Sequence, residues 1–221
     1  MNTVLEIKNL YGGYEEGVNI LQGIDLEVEQ GEAVGIIGLN GSGKSSLGKA
    51  VMNLLPYRCG KILFDGQHIE NKTTHELAQM GIAMMHQGGV VFPNLSVWQN
   101  LSLAWGHKTD KAYYEQIESI IPLLREPKKE LMRKMADRLS GGERHELALA
   151  VTLSLKPKLV ILDEPSAGLS PKAVEKMYGI LGQVRNNGKT SFIVIEHQLS
   201  SLTRSCEIIY SISQGQIKHG F

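Results

Sequence analysis

The segment GLNGSGKS, residues 38–45, decides the fold of this chain. It follows Ala33–Ile37, a short apolar run without polar alternation, which is typical of a strand buried on both faces. An amphipathic segment starts near Ser45, directly after it. A glycine-rich turn between such a strand and such a helix matches the phosphate-loop pattern G-x-x-x-x-G-K-[ST]. The sequence therefore predicts a nucleotide-binding core built around this loop.

The loop has the chemistry of a phosphate cradle. Its glycines let backbone N–H groups converge on phosphate oxygens, and the start of the following helix adds a favourable dipole. Lys44 is placed to reach the β- and γ-phosphates, and the Ser45 hydroxyl is placed to ligate Mg²⁺. We therefore predict that Mg-ATP is bound by Gly38, Asn40, Gly41, Ser42, Gly43, Lys44, Ser45 and Ser46.

A second buried run, Leu159–Leu162, ends in the adjacent carboxylates Asp163 and Glu164. Successive strand residues point to opposite faces, so the two acids are expected to have different roles. Asp163 is the candidate to hold Mg²⁺ through a water, and Glu164 is the candidate to polarise the attacking water. Next to a phosphate loop, this pair indicates ATP hydrolysis.

The rest of the chain predicts an α/β fold. Apolar residues alternate between Val4 and Val28, which indicates an N-terminal antiparallel β layer. Buried runs at 159–162 and 192–195 flank a helix predicted over Pro171–Val184, and this order favours a mainly parallel sheet. A closing hairpin is predicted over Ile208–Ile217. The predicted class is α/β with a P-loop NTPase core.

Residues 88–138 differ, because apolar side chains recur there at helical spacing and no buried strand run is present. We predict a helical subdomain inserted into the core, with Gly106 and Pro127 among the residues that separate its helices. The 221 residues would then form a single domain. Its core would comprise residues 1–87 and 139–221, and its helical subdomain would run into the helix after residue 140.

The segment LSGGE, residues 139–143, precedes a helix predicted to reach about Leu155. Ser140 is expected to cap that helix, and Gly141 and Gly142 expose backbone N–H groups, which makes a second anion-binding helix start. One nucleotide has no obvious need for two phosphate cradles from one chain.

In this order and spacing, the phosphate loop, residues 139–143 and residues 159–164 resemble the ABC ATPases. The L-S-G-G-E signature separates that family from other phosphate-loop proteins. The resemblance implies that two chains pack head to tail, with each ATP between one chain's phosphate loop and the other's Ser140-Gly141-Gly142. Closure of the pair on ATP would then drive membrane permease subunits.

Further residues match the family by position. Gln87 resembles the glutamine that senses metal and γ-phosphate, and His197 resembles the histidine that contacts γ-phosphate. Ser166–Pro171 resembles the loop that crosses to the partner subunit. Tyr14 resembles the aromatic residue that stacks on adenine, with Tyr11 as its competitor, since stacking needs only an aromatic face. The expected catalytic residues are Glu164, His197, Gln87 and Lys44, and the expected metal ligands are Ser45, Gln87 and Asp163.

Three residues depart from the family pattern. Many members carry arginine where Glu146 and Val151 stand here, so support of the signature helix is expected to differ. Gly48 lies inside the helix after the phosphate loop, where glycine costs about 1 kcal/mol relative to alanine.

Val91–Leu95 and Asp163–Pro171 resemble most the ATPase subunits of branched-chain amino acid importers. An alternative is a soluble ABC ATPase of DNA repair or translation, although those usually carry two nucleotide domains or long coiled coils. A small-molecule phosphotransferase would have no use for residues 139–143. The cargo, the direction of transport, and the choice between a homodimer and a heterodimer stay open.

The composition is compatible with a cytoplasmic chain that joins the membrane through a partner. Lysine plus arginine equals aspartate plus glutamate at 23 each, so no overall charge favours nucleic acid or anionic lipid. Cys59 and Cys206 form no metal-binding or disulfide pattern. No apolar run approaches the roughly 18 residues of a membrane span. We expect a peripheral position on the cytoplasmic face of the membrane.

Overall fold

The computed structural model of the chain describes residues 2–105, 111–125, 128–187 and 190–219. Gly106 and Pro127, predicted to separate helices, lie outside these residues. The strands are β1 Thr3–Gly13, β2 Leu21–Glu29, β3 Ala33–Ile37, β4 Tyr57–Phe64, β5 Gln67–His68, β6 Ile82–Met85, β7 Leu159–Asp163, β8 Ser191–Glu196, β9 Ile208–Ser213 and β10 Gln216–His219. The helices are α1 Lys44–Val51, α2 Thr74–Met80, α3 Val97–Trp105, α4 Lys111–Ile120, α5 Lys128–Arg133, α6 Gly141–Leu153, α7 Pro171–Asn187 and α8 Leu199–Leu202, with 3-10 turns at Pro122–Arg125 and Ala136–Arg138.

These strands form two sheets. The first is antiparallel, with strand order β2-β1-β4-β5. The second has the order β10-β9-β3-β8-β7-β6 and is parallel apart from β10, which pairs with β9 as a hairpin. The predicted α/β fold, with its N-terminal antiparallel layer, mainly parallel sheet and closing hairpin, is confirmed.

The parallel sheet lies between two hydrophobic cores, which explains its continuous apolar runs. All five residues of β7 are buried. Leu159 and Ile161 belong to the core shared with the antiparallel layer and α1, whereas Val160 and Leu162 belong to the core shared with α6 and α7. Each strand residue therefore buries its side chain whichever face it points to.

Helix α1 packs closely on this sheet at Gly48. A Cβ at Gly48 would lie 3.1 Å from Ile161 Cγ2 and 3.4 Å from both Ile195 Cδ1 and Met84 Cε. The space is tighter than ordinary van der Waals contact. Glycine therefore costs helix propensity here but lets the helix that follows the phosphate loop approach the sheet.

Between β6 and β7 the described residues are helical or irregular, apart from an isolated β-bridge that joins Ser96 to Met135. Asn100 fixes the entry to this region: its Nδ2 donates to the carbonyls of Phe92, Leu95 and Ser96, and its Oδ1 accepts from the Phe92 N–H. The side chain is buried and satisfied on both sides. It therefore holds the loop 92–96 in one conformation.

Several elements of the fold were not predicted from the sequence. Strand β4, short strand β5 and helix α2 were not predicted. Strand β4 has mostly exposed residues over its first half, so its pattern is not that of a buried strand. Val18 pairs with Glu15 in an isolated bridge outside β2.

Candidate functional site

The predicted site residues other than Ser140–Gly142 lie around the carboxyl ends of the parallel strands. Strands β3, β8, β7 and β6 are neighbours in that order. Open α/β sheets bind their ligands at the carboxyl ends of such strands. A cavity of about 430 Å³ lies there. Its walls include Tyr14, Lys44, Ser45, Gln87, Glu164 and His197.

The phosphate loop owes its shape to glycines with left-handed backbone. Gly41 has φ 77° and Gly43 has φ 107°, where a side chain would be strained. Gly43 is the N-cap of α1, so the turn leads directly into the helix that begins with Lys44. Ser42 Oγ is buried and has no hydrogen-bond partner among the described residues. A phosphate oxygen would supply one, so the loop suits an anionic ligand.

Lys44 is held inside the loop. Its Nζ donates to the carbonyls of Gly38 at 2.8 Å and Leu39 at 2.9 Å. Burial lowers the pKa of Lys44, while the charges of Glu164 and Asp163 oppose the shift. An ammonium group has three donors, so one remains for a phosphate oxygen.

Ser45 and Asp163 form a pair suited to Mg²⁺. Ser45 Oγ donates to Asp163 Oδ1 at 2.8 Å between α1 and the end of β7. Burial raises the pKa of Asp163, and the Ser45 hydroxyl offsets this only in part. A cation would relieve that cost. Among the described residues, no group of three or more Asp, Glu, His or Cys side chains is arranged so that it could hold a metal ion by itself. Mg²⁺ is commonly bound by one or two carboxylates together with phosphate and water, so the pair fits it.

Glu164 lies at the centre of a three-residue cluster. Gln87 Nε2 donates to Glu164 Oε2 at 2.7 Å, and His197 Nε2 lies 2.5 Å from Glu164 Oε1. An ionised carboxylate only accepts, so the proton of this bond is on His197 Nε2. Glu164 follows the end of β7 and has φ 48°. This left-handed turn, not simple strand alternation, gives Glu164 and Asp163 their different surroundings.

Tyr14 lines the cavity and is 44% exposed. Lys49 Nζ donates to its hydroxyl at 3.1 Å and lies 5.3 Å from the ring centre. Burial alone would raise the pKa of Tyr14, but hydrogen bonds with Lys49 and Ser46 lower it. Tyr11 lies within β1, and its hydroxyl is directed at Gly23 of β2. Tyr14 is therefore the aromatic side chain available beside the phosphate loop.

The signature segment is not among the residues that line this cavity. Ser140 is the N-cap of α6: its Oγ accepts from the Glu143 N–H at 3.3 Å, and Glu143 Oε2 accepts from the Ser140 N–H. Ser140 and Gly141 are exposed. One chain therefore does not bring its two anion-binding helix starts together.

Glu196 is a site residue that the sequence reasoning missed. It is 2% exposed, and its Oε1 accepts from the Ser166 N–H and from the Tyr178 hydroxyl, both at 3.0 Å. Burial and the nearby Glu196 charge raise the pKa of Tyr178. Glu196 thus ties the loop 166–171 to the strand that leads into His197. The available signal was a carboxylate at the end of an otherwise apolar strand.

The unusual Glu146 has a defined structural role. Its Oε2 accepts from the buried Leu123 N–H at 2.9 Å, and its Oε1 lies 2.5 Å from Lys176 Nζ of α7. It therefore joins three parts of the chain, namely the turn at 122–125, α6 and α7. Val151 is half-buried and packs against the core that α6 shares with α7. In place of the two arginines that many family members carry on this helix, α6 has the buried carboxylate of Glu146 and the apolar side chain of Val151.

The phosphate loop, the paired carboxylates and the polar cluster around them define a phosphate-loop ATPase. The sequence profile of the family described as ABC transporter matches residues 21–167. The lipopolysaccharide export system ATP-binding protein LptB of Escherichia coli strain K12 is 33% identical over 218 residues, which is 98% of this chain and 90% of that protein. The high-affinity branched-chain amino acid transport ATP-binding protein BraG of Pseudomonas aeruginosa is 33% identical over 206 residues, which is 92% of this chain and 87% of that protein.

A solved structure of an ABC transporter component has the same fold as this chain. The structure of cbiO1 from Clostridium perfringens, part of the ABC transporter complex cbiONQ, superposes with a TM-score of 0.85 at 26% identity and covers 99% of this chain and 88% of that chain. This chain belongs to the ABC transporter family, as its ATP-binding and ATP-hydrolysing type of subunit. Members of the family act as dimers with membrane permease components. In the described parts of the chain, no helix has the length and apolarity that spanning a membrane requires.

Proposed function

We propose that this chain hydrolyses Mg-ATP between its own phosphate loop and the Ser140–Gly142 segment of a second ABC ATPase chain. The single observation that carries the proposal is the cluster of Glu164, Gln87 and His197 facing the cavity that Lys44 also lines. Ser140 and Gly141 are exposed outside that cavity. This supports the part of the proposal that concerns a second chain, because an exposed helix start can bind the phosphates of a partner's nucleotide.

In this proposal Glu164 is the base for the attacking water. The water oxygen bonds to the γ-phosphorus, the bond from that phosphorus to the ADP oxygen breaks, and the water proton moves to Glu164. Gln87 and His197 hold the carboxylate in place through its two oxygens, and Lys44 stabilises the charge that develops on the phosphate oxygens. Tyr14 stacks on adenine, with Lys49 fixing its ring.

Mg²⁺ fits Ser45 and Asp163, with Gln87 as a third proposed ligand. A Mg²⁺ ion held there would supply positive charge beside the phosphates. The protein's part is to keep the Ser45 hydroxyl and the Asp163 carboxylate within reach of one point, which their 2.8 Å hydrogen bond supports.

We place the permease contact beside Gln87, at the start of a helical subdomain over residues 88–138. Val90 is 70% exposed and Phe92 is 61% exposed, although the backbone there is fixed by Asn100. Phe92 is thus not part of a subdomain core. A rigid loop with exposed apolar side chains suits a docking helix. The chain would then work at the cytoplasmic face of the membrane, through this partner.

Crosslinking tests this placement. In a chain whose native Cys59 and Cys206 are replaced by serine, single cysteines at positions 90–95 should crosslink to a co-purified membrane permease. A cysteine at the exposed Lys61 of β4 is the control and should not. Absence of any crosslink from 90–95 in a complex that still transports would refute the docking site.

For the cargo, we propose branched-chain amino acids. The basis is the likeness of Val91–Leu95 and Asp163–Pro171 to such importers, together with the relative BraG, whose name specifies that transport. The equally similar LptB is named for lipopolysaccharide export. The deciding assay is ATP turnover of the reconstituted complex. Leucine, isoleucine or valine, added with the substrate-binding protein, should stimulate turnover, and stimulation by lipopolysaccharide alone would overturn the assignment.

A further inference from the structure

The loop that follows Gln87 contacts α6, the helix that begins in the signature segment, at Gly89. Gly88 and Gly89 both have left-handed backbone, with φ 82° and φ 61°. Gly89 is buried, and a Cβ there would lie 3.0 Å from His145 Cγ and 3.1 Å from His145 Cα. That is closer than real Cβ atoms normally approach. The backbone of Gly89 therefore packs closely on His145 of α6, and a side chain at this position would require His145 to move by a few tenths of an ångström.

The same edge of the His145 ring is also bound to the signature segment, because Nδ1 would lie 3.2 Å from a Cβ at Gly89. His145 Nδ1 lies 3.0 Å from the Gly141 carbonyl oxygen. A carbonyl only accepts, so Nδ1 carries the proton and donates. The residue is 7% exposed, and its Nε2 is buried without a hydrogen-bond partner among the described residues. An apolar side chain would fill this space without burying an unpaired polar atom such as Nε2. The hydrogen bond to Gly141 is therefore what histidine adds here.

These contacts connect the Gln87 loop with the signature segment, which in the proposed function belong to two different nucleotide sites. Gln87 donates to Glu164 in the chain's own cavity. Gly141 belongs to the exposed helix start that, in the proposed function, completes the partner's site. Between them lie Gly89 and His145, both buried and in contact, so a shift of the Gln87 loop must move the ring or be resisted by it.

We propose that His145 is a positioning residue that couples the Gln87 loop to the signature segment, so that each chain's nucleotide state is passed to the site it completes on its partner. The inference rests on the proposed function. It predicts that a disturbance confined to the contact between Gly89 and His145 lowers turnover while leaving ATP binding at the phosphate loop unchanged.

The chain offers a matched control for that disturbance. Gly88→Ala and Gly89→Ala both place a side chain on left-handed backbone, but a Cβ at Gly88 meets nothing within 4 Å. Gly88→Ala therefore reports backbone strain alone, and Gly89→Ala reports strain plus collision with His145. His145→Ala removes the ring and should relieve the collision with Cγ and Nδ1, while the approach to the His145 Cα remains.

The experiment measures ATP turnover and ATP affinity of the purified full chain for wild type, the three single variants and the double variant Gly89→Ala/His145→Ala. Gly89→Ala should lower turnover at least about tenfold below Gly88→Ala, since overpacking of a buried contact has effects of that size. ATP affinity should stay within about twofold. In the His145→Ala background the loss of turnover caused by Gly89→Ala should be several-fold smaller than in wild type, because only the approach to the His145 Cα is left.

Two results would overturn the coupling alone: equal turnover of Gly88→Ala and Gly89→Ala, or a Gly89→Ala defect that persists in full without the His145 ring. A loss of ATP affinity equal to the loss of turnover would also overturn it, because the change would then be a general structural one. Absence of ATP turnover in the wild-type chain would instead overturn the proposed function, and the coupling with it.

Discussion

Glu164→Gln separates nucleotide binding from hydrolysis. Glu164 accepts from His197 Nε2 and from Gln87 Nε2. The new glutamine keeps one acceptor oxygen, which can still accept from His197. Its other terminal atom is an N–H₂ group, which cannot accept from Gln87, so the change removes the base and one hydrogen bond of the cluster. The Ser45–Asp163 pair is untouched, so ATP affinity should stay within a few-fold of wild type.

A positioned general base contributes about 10²–10⁴-fold in rate. Turnover of Glu164→Gln should therefore fall at least about 100-fold, which is about 2.7 kcal/mol in the activation barrier. The assay is phosphate release at saturating Mg-ATP beside direct ATP binding, with Glu130→Gln, a change at an exposed position of α5, as a charge-matched control. Near-normal turnover would refute the role of Glu164. Loss of turnover together with loss of ATP affinity would show a damaged metal site instead.

Other changes give equally definite outcomes. Lys44→Ala should abolish measurable ATP hydrolysis, because Lys44 is the cation that the phosphate loop presents, and unchanged phosphate release would show that the loop is misassigned. Glu146→Ala should lower the free energy of unfolding in urea by about 1–3 kcal/mol, since the buried Leu123 N–H loses its acceptor; Lys176→Met, which leaves that bond intact, is the milder control. The bond from the Ser140 N–H lowers the pKa of Glu143 below its ordinary 4.5, and burial opposes this. Its contribution to stability is therefore complete above pH 4.5 and lost as the pH falls through the lower folded value. The stability difference between wild type and Glu143→Gln should accordingly shrink in acid, and a difference that grows would contradict the sign.

Much of the fold could be predicted because its deciding strands are buried on both faces. Ala33–Ile37 and Leu159–Leu162 lack polar residues for that reason, and the phosphate loop and carboxylates are fixed to their ends. Strand β4 could not be predicted in the same way, because most of its first residues are exposed and apolar burial begins only at Ile62.

The candidate site was predicted where a motif specifies both residue type and position, as at Lys44 and Asp163. Glu196 and His145 were missed because their roles depend on contacts between distant segments. Glu196 meets Ser166 and Tyr178, and His145 meets Gly89, across sequence separations that no local pattern encodes. Glu146 was noticed as a departure, but its partner Lys176 could be identified only from the packing of α6 on α7.

The central claim is that ATP lies between two chains, and the mass of Glu164→Gln in solution tests it most directly. Light scattering during size-exclusion chromatography should give twice the mass of one chain with Mg-ATP, and a single chain with Mg-ADP. Adding Ser140→Arg, which places a bulky side chain at the exposed start of α6, should abolish the ATP-dependent dimer. An identical mass with ATP and ADP would contradict pairing between copies of this chain, and a dimer that Ser140→Arg leaves intact would contradict the face-to-face arrangement.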